Sequence, residues 1–315
     1  MSTEYGRARP FVVGTRASAL ALAQTEQVLA ALRVIHPWAA FETCHVPTHG
    51  DRDQQTPLAE LGGQGIFVKE IENALRAGEI DLAVHSLKDM PSEQPEGLTI
   101  AALLPREDPR DALVSRQGLA LEGLRRGARV GTGSLRRQAQ LRAFRPDLEI
   151  ADLRGNVDTR LRKVAAGEYE AIVLALAGLI RLGRMSEVTA ILPIEIMLPA
   201  VGQAAICVET RADDPETLAL VAPVDDFRTR AAVMSERSFL RELGGGCHAP
   251  IAAHATLDGD RLCLRGLVAS VSGERIVRGS LVGRVERAEA LGRNLAQQLL
   301  SKGCAELLRE DASRA

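Results

Sequence analysis

Short apolar runs alternate with amphipathic stretches over the first two-thirds of the chain. FVVG at 11–14 predicts a strand, and residues 18–35 predict a helix with Ala21, Val28, Leu32 and Ile35 on one stripe. IFVKEIENALRAG (66–78) has the period of a helix that stops at Gly78, and IDLAVHS (80–86) has the unbroken apolar character of a buried strand. The alternation continues: a strand at 128–131, a helix at 134–144, a strand at 148–153, a helix at 156–167 closed by Gly167, and a strand at 169–176. Strand–helix alternation of this kind predicts mostly parallel sheets with helices on their faces.

The last third changes period. A helix is expected over 227–243, stopping at Gly244. Strands follow near 250–257, 261–269 and 275–282, with turns at Asp258-Gly259 and Ser272-Gly273, and a final helix covers about 286–301. Grouped strands with flanking helices predict a small α+β domain, with a boundary near APVDDF (222–227). One faint echo links two strand–helix junctions. Val13-Gly14-Thr15 leads through Arg16 to Ser18, and Val130-Gly131-Thr132 leads to Ser134, with Arg136 and Arg137 in the first helical turn. Two domains of like fold would explain it, and so would chance.

Composition adds bounds. At 315 residues the chain is long for one core, so two or three domains are expected. The N-terminus lacks a basic region followed by an apolar stretch, and no apolar run is long enough to span a bilayer. Five scattered cysteines without C-x-x-C fit a reducing compartment, so a cytoplasmic protein without a membrane partner is expected. A net charge of −2 gives no reason to expect nucleic acid. Of the 39 basic residues 35 are arginine, a ratio that base composition of the coding sequence explains, so only the placement of arginines is informative.

Their placement is informative. Arg16, Arg136, Arg137, Arg154, Arg160 and Arg181 all fall at or soon after predicted strand ends. One arginine there is ordinary surface. Six together, at the end of the sheet where open α/β folds bind ligands, predict a polyanion gripped by guanidinium groups. GTGSLRRQ lacks P-loop spacing, and no G-x-G-x-x-G follows a strand, so nucleotide binding is poorly supported. HSLKDMP (85–91) sets Lys88 and Asp89 at the end of a buried strand. They form either a solvated local pair or a carboxylate kept ionised over a cleft.

ELGGGCHAPIA (242–252) puts Cys247 behind three glycines. A dyad with adjacent His248 is geometrically poor, and Cys247, His248 and His254 are too few for zinc. A plain loop cysteine and a cysteine that carries a group covalently both remain open. The glycines suit the second, since they let backbone approach something bulky. A helix C-terminus does not acidify a thiol, so any partner would have to be a strong electrophile.

Taken together, GTRASALALAQ (14–24), GGQGIFVKEIE (62–72), DLAVHSLKDMP (81–91), VGTGSLRRQAQL (130–141), LRGNVDTRL (153–161), AGLIRL (177–182), LPAVGQ (198–203) and GGCHAP (245–250) resemble the porphobilinogen deaminase family of tetrapyrrole biosynthesis. The resemblance implies an α/β fold: two domains like those of periplasmic binding proteins, at 1–104 with 200–222 and at 105–199, plus a small α+β C-terminal domain at 223–315. It implies a transferase, expected to be monomeric, that joins four porphobilinogens head to tail with release of ammonia and hydrolyses off hydroxymethylbilane. It implies a dipyrromethane cofactor attached to Cys247 by a thioether.

By the same resemblance Asp89 would bind pyrrole N–H groups and steady positive charge, with Arg16 and Arg154 assisting catalysis. Lys88, Thr132, Ser134, Arg136, Arg137 and Gly155 would line the cofactor. Arg16, Ser18, Phe67, Arg154, Arg160, Arg181 and Gln203 would line the substrate. No metal is implied. Gly133 and Ala204 stand where the family commonly has Ser and Gly, and Gln64 replaces a frequent lysine. The competing class is a two-domain anion-binding protein without catalysis, which would leave Cys247 idle.

Overall fold

The computed structural model describes residues 9–48, 68–244 and 250–312. The chain begins with β1 (Phe11–Thr15), α1 (Ala19–Ile35) and β2 (Phe41–His45). Then come α2 (Lys69–Arg76), β3 (Leu82–Ser86) and β4 (Leu98–Leu103). A second run holds β5 (Asp111–Ser115), β6 (Arg129–Gly131), α3 (Leu135–Phe144), β7 (Glu149–Ala151), α4 (Val157–Ala165), β8 (Ala171–Ala175), α5 (Leu176–Arg181) and β9 (Ala190–Ile191). After it β10 (Ile206–Arg211) and α6 (Pro215–Val221) follow, then α7 (Phe227–Glu242), β11 (Ile251–Asp258), β12 (Arg261–Ala269), β13 (Ile276–Arg284), α8 (Ala288–Leu299) and α9 (Ala305–Ala312).

Two five-stranded sheets result, ordered β2-β1-β3-β10-β4 and β7-β6-β8-β5-β9. Their topologies correspond position for position. β1 and β6 are equivalent, so the Thr15–Ser18 and Thr132–Ser134 junctions are equivalent too, and the faint echo in the sequence has a structural basis. The sheets are mixed, not mostly parallel. β1–β2, β1–β3, β6–β7 and β6–β8 are parallel, whereas β10 and β5 run antiparallel to both neighbours. The reason is the route of the chain. β5 and β10 follow the two crossings between sheets, and each starts opposite the end of a parallel strand: Asp111 faces Ala175, and Ile206 faces Ser86. A strand that enters at the cleft end can only run away from it.

Helix boundaries follow local chemistry. Ser18 caps α1 by accepting from the Ala21 N–H at 3.3 Å, and Asn156 caps α4 through Thr159. Val28 and Leu32 of α1 are fully buried against the first sheet, but Ile35, expected on the same stripe, is 43% exposed at the helix end. The third domain packs α7 and α8 on one face of the antiparallel sheet β11-β12-β13. Gly259 and Gly273 take the positive φ their hairpins require, 57° and 77°. The Gly273 turn also fits against α3 so closely that a Cβ would lie 2.4 Å from the Ala139 carbonyl oxygen.

Glu236 of α7 joins all three parts. Its buried carboxylate accepts from Arg106 on the first crossing (2.6 Å), from the Gly202 N–H on the second (2.8 Å) and from the Ala255 N–H of β11 (2.8 Å). Removing it leaves the Arg106 guanidinium and two buried N–H groups without their acceptor. Glu236→Ala is expected to lower stability by about 3 kcal/mol. Urea unfolding followed by circular dichroism checks this, and an unchanged midpoint would refute it.

Candidate active site

The predicted residues follow the carboxyl ends of parallel strands in both sheets, and Lys88 and Arg160 lie close enough to the other sheet's charges to bring the two sets together at one cleft. Arg16 and Ser18 succeed β1, Lys88 and Asp89 succeed β3, Thr132 and Ser134 succeed β6, and Arg154 and Gly155 succeed β7.

The Lys88–Asp89 turn is held from behind. Leu87–Asp89 is a single 3₁₀ turn. The Leu87 N–H donates to the Ala205 carbonyl at 3.0 Å, and Leu87 and Met90 are buried among Val68, Leu103 and Val233. Gly202, with φ 68°, leaves room for this: a Cβ there would sit 2.9 Å from Leu87 Cγ. Lys88 and Asp89 project from this packed base. His85 turns inward instead, 3.2 Å from buried Glu209. Dehydration pushes the Lys88 ammonium down to about 8; Asp89 and Asp111 favour its charge, and Arg137 and Arg136 oppose it. Among the described residues Lys88 makes no hydrogen bond or ion pair.

Arg160 reaches back from α4 and donates Nε to the Gly155 carbonyl at 2.7 Å. That carbonyl is presented by a backbone at φ 108°, a region glycine tolerates. Burial pushes Arg160 down to about 10, with Arg137 and Arg154 adding to the effect and Asp152 and Asp89 resisting it. Lys88 and Arg160 therefore share Asp89 and Arg137 as electrostatic neighbours, and Arg154 adds to the field on Arg160.

Arg136, Arg137 and Gln203 have a more structural position than the sequence suggested. Arg136 donates to Asp111 at 2.8 Å and to the Leu198 carbonyl at 2.7 Å. Arg137 donates to Asp111 at 2.7 Å and to the Val173 carbonyl at 3.1 Å. Gln203 gives its amide N–H groups to Asp111 at 2.9 Å and to the Pro109 carbonyl at 2.6 Å. All four side chains are buried. Burial alone would raise the Asp111 carboxyl, but Arg136 and Arg137 outweigh it and hold it well below the usual carboxylate range. Asp111 escaped the sequence reading; its only signal is a charge opening the apolar run DALV.

The remaining positions divide. Thr132 is buried, and its hydroxyl accepts from the Ser134 N–H at 3.3 Å. Ser134 holds the N-cap place of α3 without making a side-chain cap bond. Arg181 donates to the Ala204 carbonyl at 2.7 Å and to Gln27 of α1 at 3.2 Å, so it ties α5 to the first domain. Ala204 sits at φ 73°, the left-handed region that favours glycine. Phe67, Gln64, Cys247 and His248 lie outside the described residues.

The family model described as "Porphobilinogen deaminase, dipyromethane cofactor binding domain" matches residues 11–219, and that for the C-terminal domain matches 230–301. The chain belongs to the porphobilinogen deaminase family. The porphobilinogen deaminase of Syntrophus aciditrophicus (strain SB) is 52% identical over 92% of this chain and 95% of its own. That of Roseiflexus sp. (strain RS-1) is 52% identical over 94% and 98%, and that of Brevibacillus brevis is 50% identical over 95% and 96%.

A polyanionic group fits the residues present. Lys88 is a dehydrated cation without an acid in contact, and the buried Nε of Arg136 has no acceptor among the described residues. Carboxylates brought by a dipyrromethane would supply what both lack.

The shifted Lys88 gives a pH prediction. Between about pH 8 and the ordinary lysine range the unfolded chain holds a proton that folded Lys88 has released, so this group favours folding increasingly as pH rises. In protein free of anionic ligand, reductive methylation should label Lys88 with a half-maximal rate near pH 8. Peptide mass mapping checks it. A Lys88 labelling rate that reaches half its maximum only at about pH 10, the ordinary lysine value, would refute the shift.

Proposed function

We propose that this chain is a transferase that condenses four porphobilinogens head to tail, releases ammonia at each step and hydrolyses off hydroxymethylbilane. The observation that carries the reading is that Lys88 of the first sheet and Arg160 of the second each lie within electrostatic reach of both Asp89 and Arg137, in a chain of this family. Family membership does not support the other reading, a binding protein without chemistry.

The primer is a dipyrromethane bound through a thioether to Cys247. When bound, it supplies the pyrrole ring that starts the chain and the acid arms that anchor it. In the sequence Cys247 comes three residues after Gly244, whose φ of 62° ends α7. Two other thiols are poor candidates for that role: Cys207 and Cys304 are buried, and burial pushes both thiols up.

The chain's own groups divide the work. Lys88, Arg16, Arg154 and Arg160 hold acetate and propionate arms, and Thr132, Ser18, Ser134 and Gly155 line the same surface. Arg136 and Arg137 add positive field from their places on Asp111, and Gln203 keeps that carboxylate oriented. Asp89 accepts from pyrrole N–H groups and steadies positive charge as the amine leaves. Arg16 and Arg154 assist by donating hydrogen bonds to the ammonia nitrogen as the breaking C–N bond returns its lone pair, since a guanidinium does not give up a proton readily. Arg181 and Phe67 complete the substrate set. The working unit is a cytoplasmic monomer of three domains, at 1–104 with 200–222, at 105–199 and at 223–315.

Intact mass of the purified protein should exceed the 33.8 kDa sequence mass by one dipyrromethane, and Cys247→Ser should remove the excess. An unmodified chain that still polymerises porphobilinogen would end the tethered-primer reading. Asp89→Ala should keep its fold by circular dichroism yet lose at least about a hundredfold in turnover. Near-normal turnover would overturn the role given to Asp89.

A further inference from the structure

Asp152 follows β7 and is exposed, while its backbone is fixed: its carbonyl accepts from the buried Tyr169 hydroxyl at 2.6 Å. Its carboxylate lies against Gly133, in the turn between β6 and α3. A Cβ on Gly133 would meet Asp152 Oδ1 at 3.3 Å and the Leu153 carbonyl oxygen at 2.9 Å. The missing side chain at 133 therefore leaves space that Asp152 uses. Among the described residues this carboxylate accepts no hydrogen bond and touches no cation. Arg160 is near enough to feel it, as it feels Asp89, but makes no ion pair with it and bonds Gly155 instead. Arg160 thus has two carboxylates within electrostatic reach, Asp89 and Asp152, and only Asp89 has a role so far.

A carboxylate in such a cleft repels acid arms. Its benefit has to come from a positive group. Porphobilinogen carries one, the aminomethyl group, which as an alkylamine is protonated at neutral pH. We propose that Asp152 is a substrate-binding residue that receives the aminomethyl ammonium of the incoming porphobilinogen. This rests on the deaminase reading above. The ammonium donates to Asp152 while the acid arms lie on the arginines, so the leaving group is oriented before its bond to carbon breaks.

The test compares wild type, Asp152→Asn and Asp152→Glu, full-length and cofactor-loaded, on two substrates. One is porphobilinogen; the other is its hydroxymethyl analogue, which has the same ring and acid arms and no cation. Asp152→Asn should lower kcat/KM for porphobilinogen about fivefold, mostly through KM, and leave the analogue unchanged. Asp152→Glu should recover most of the loss. Equal intact mass and melting temperature place the change at the substrate step. Equal losses on both substrates, no loss on porphobilinogen, or a gain with it would each overturn the assignment. Wild type that turns over neither compound would instead remove the deaminase reading, and this inference with it.

Discussion

Asp111 is the first residue of a strand that enters its sheet from the cleft side, and it is completely buried there. Two guanidinium groups and an amide close around it. Arg136 and Arg137 come from the first turn of α3, which walls the cleft, while Gln203 comes from the second crossing between sheets. One carboxylate therefore fixes the helix to the joint. Without it two guanidinium groups would be buried without an acid, a loss on the scale that breaking a buried pair brings, about 3–5 kcal/mol. The rest of the site inherits this constraint. Arg137 adds to the field on both Lys88 and Arg160, so the strength of the cleft's cations is set partly by residues bound to the frame.

The charge distribution explains how a chain of net charge −2 can hold a polyanion. Away from the cleft, arginines are matched locally: Arg145 with Asp147, Arg211 with Asp214, Arg230 with Asp225. In the cleft, Lys88 and Arg160 are dehydrated and have no carboxylate in contact among the described residues. Burial lowers the pKa of both, because dehydration makes holding the charge unfavourable. Under the proposed function, carboxylate arms arriving there would reverse the sign of that contribution.

Local signals made much of this legible in the sequence. α1 and α4 carry side-chain caps, and α3 stops just before Pro146, so each has a local boundary signal. The carboxyl ends of the strands before them named the cleft. β5 and β10 were missed because their identity is not local. DALVS and ICVETR each carry a buried charge, Asp111 or Glu209, that breaks the apolar pattern, and their direction depends on where the chain crosses. Arg136 and Arg137 were placed correctly at a helix start, yet nothing nearby names Asp111, 25 residues upstream, as their partner. The fit of the Gly273 turn against α3 is equally non-local. Cys247 and Phe67 rest on motif alone, since both fall outside the described residues.

The third domain is more than a carrier for a thiol. α7 holds Glu236 at the crossings and, one residue on, Arg237, which donates to the carbonyls of Pro91 at 2.7 Å and Ser92 at 3.2 Å. Those carbonyls follow the Lys88–Asp89 turn directly. Val233, one turn earlier on α7, packs in the same cluster as Leu87 and Met90. The helix leading to Cys247 and the turn bearing Asp89 are thereby parts of one packed unit. Separating them would break two hydrogen bonds from a buried guanidinium and open an apolar contact at once. Under the proposed function the acid stays at a fixed place relative to the start of the anchor segment, and a growing chain has to be accommodated by moving past that acid.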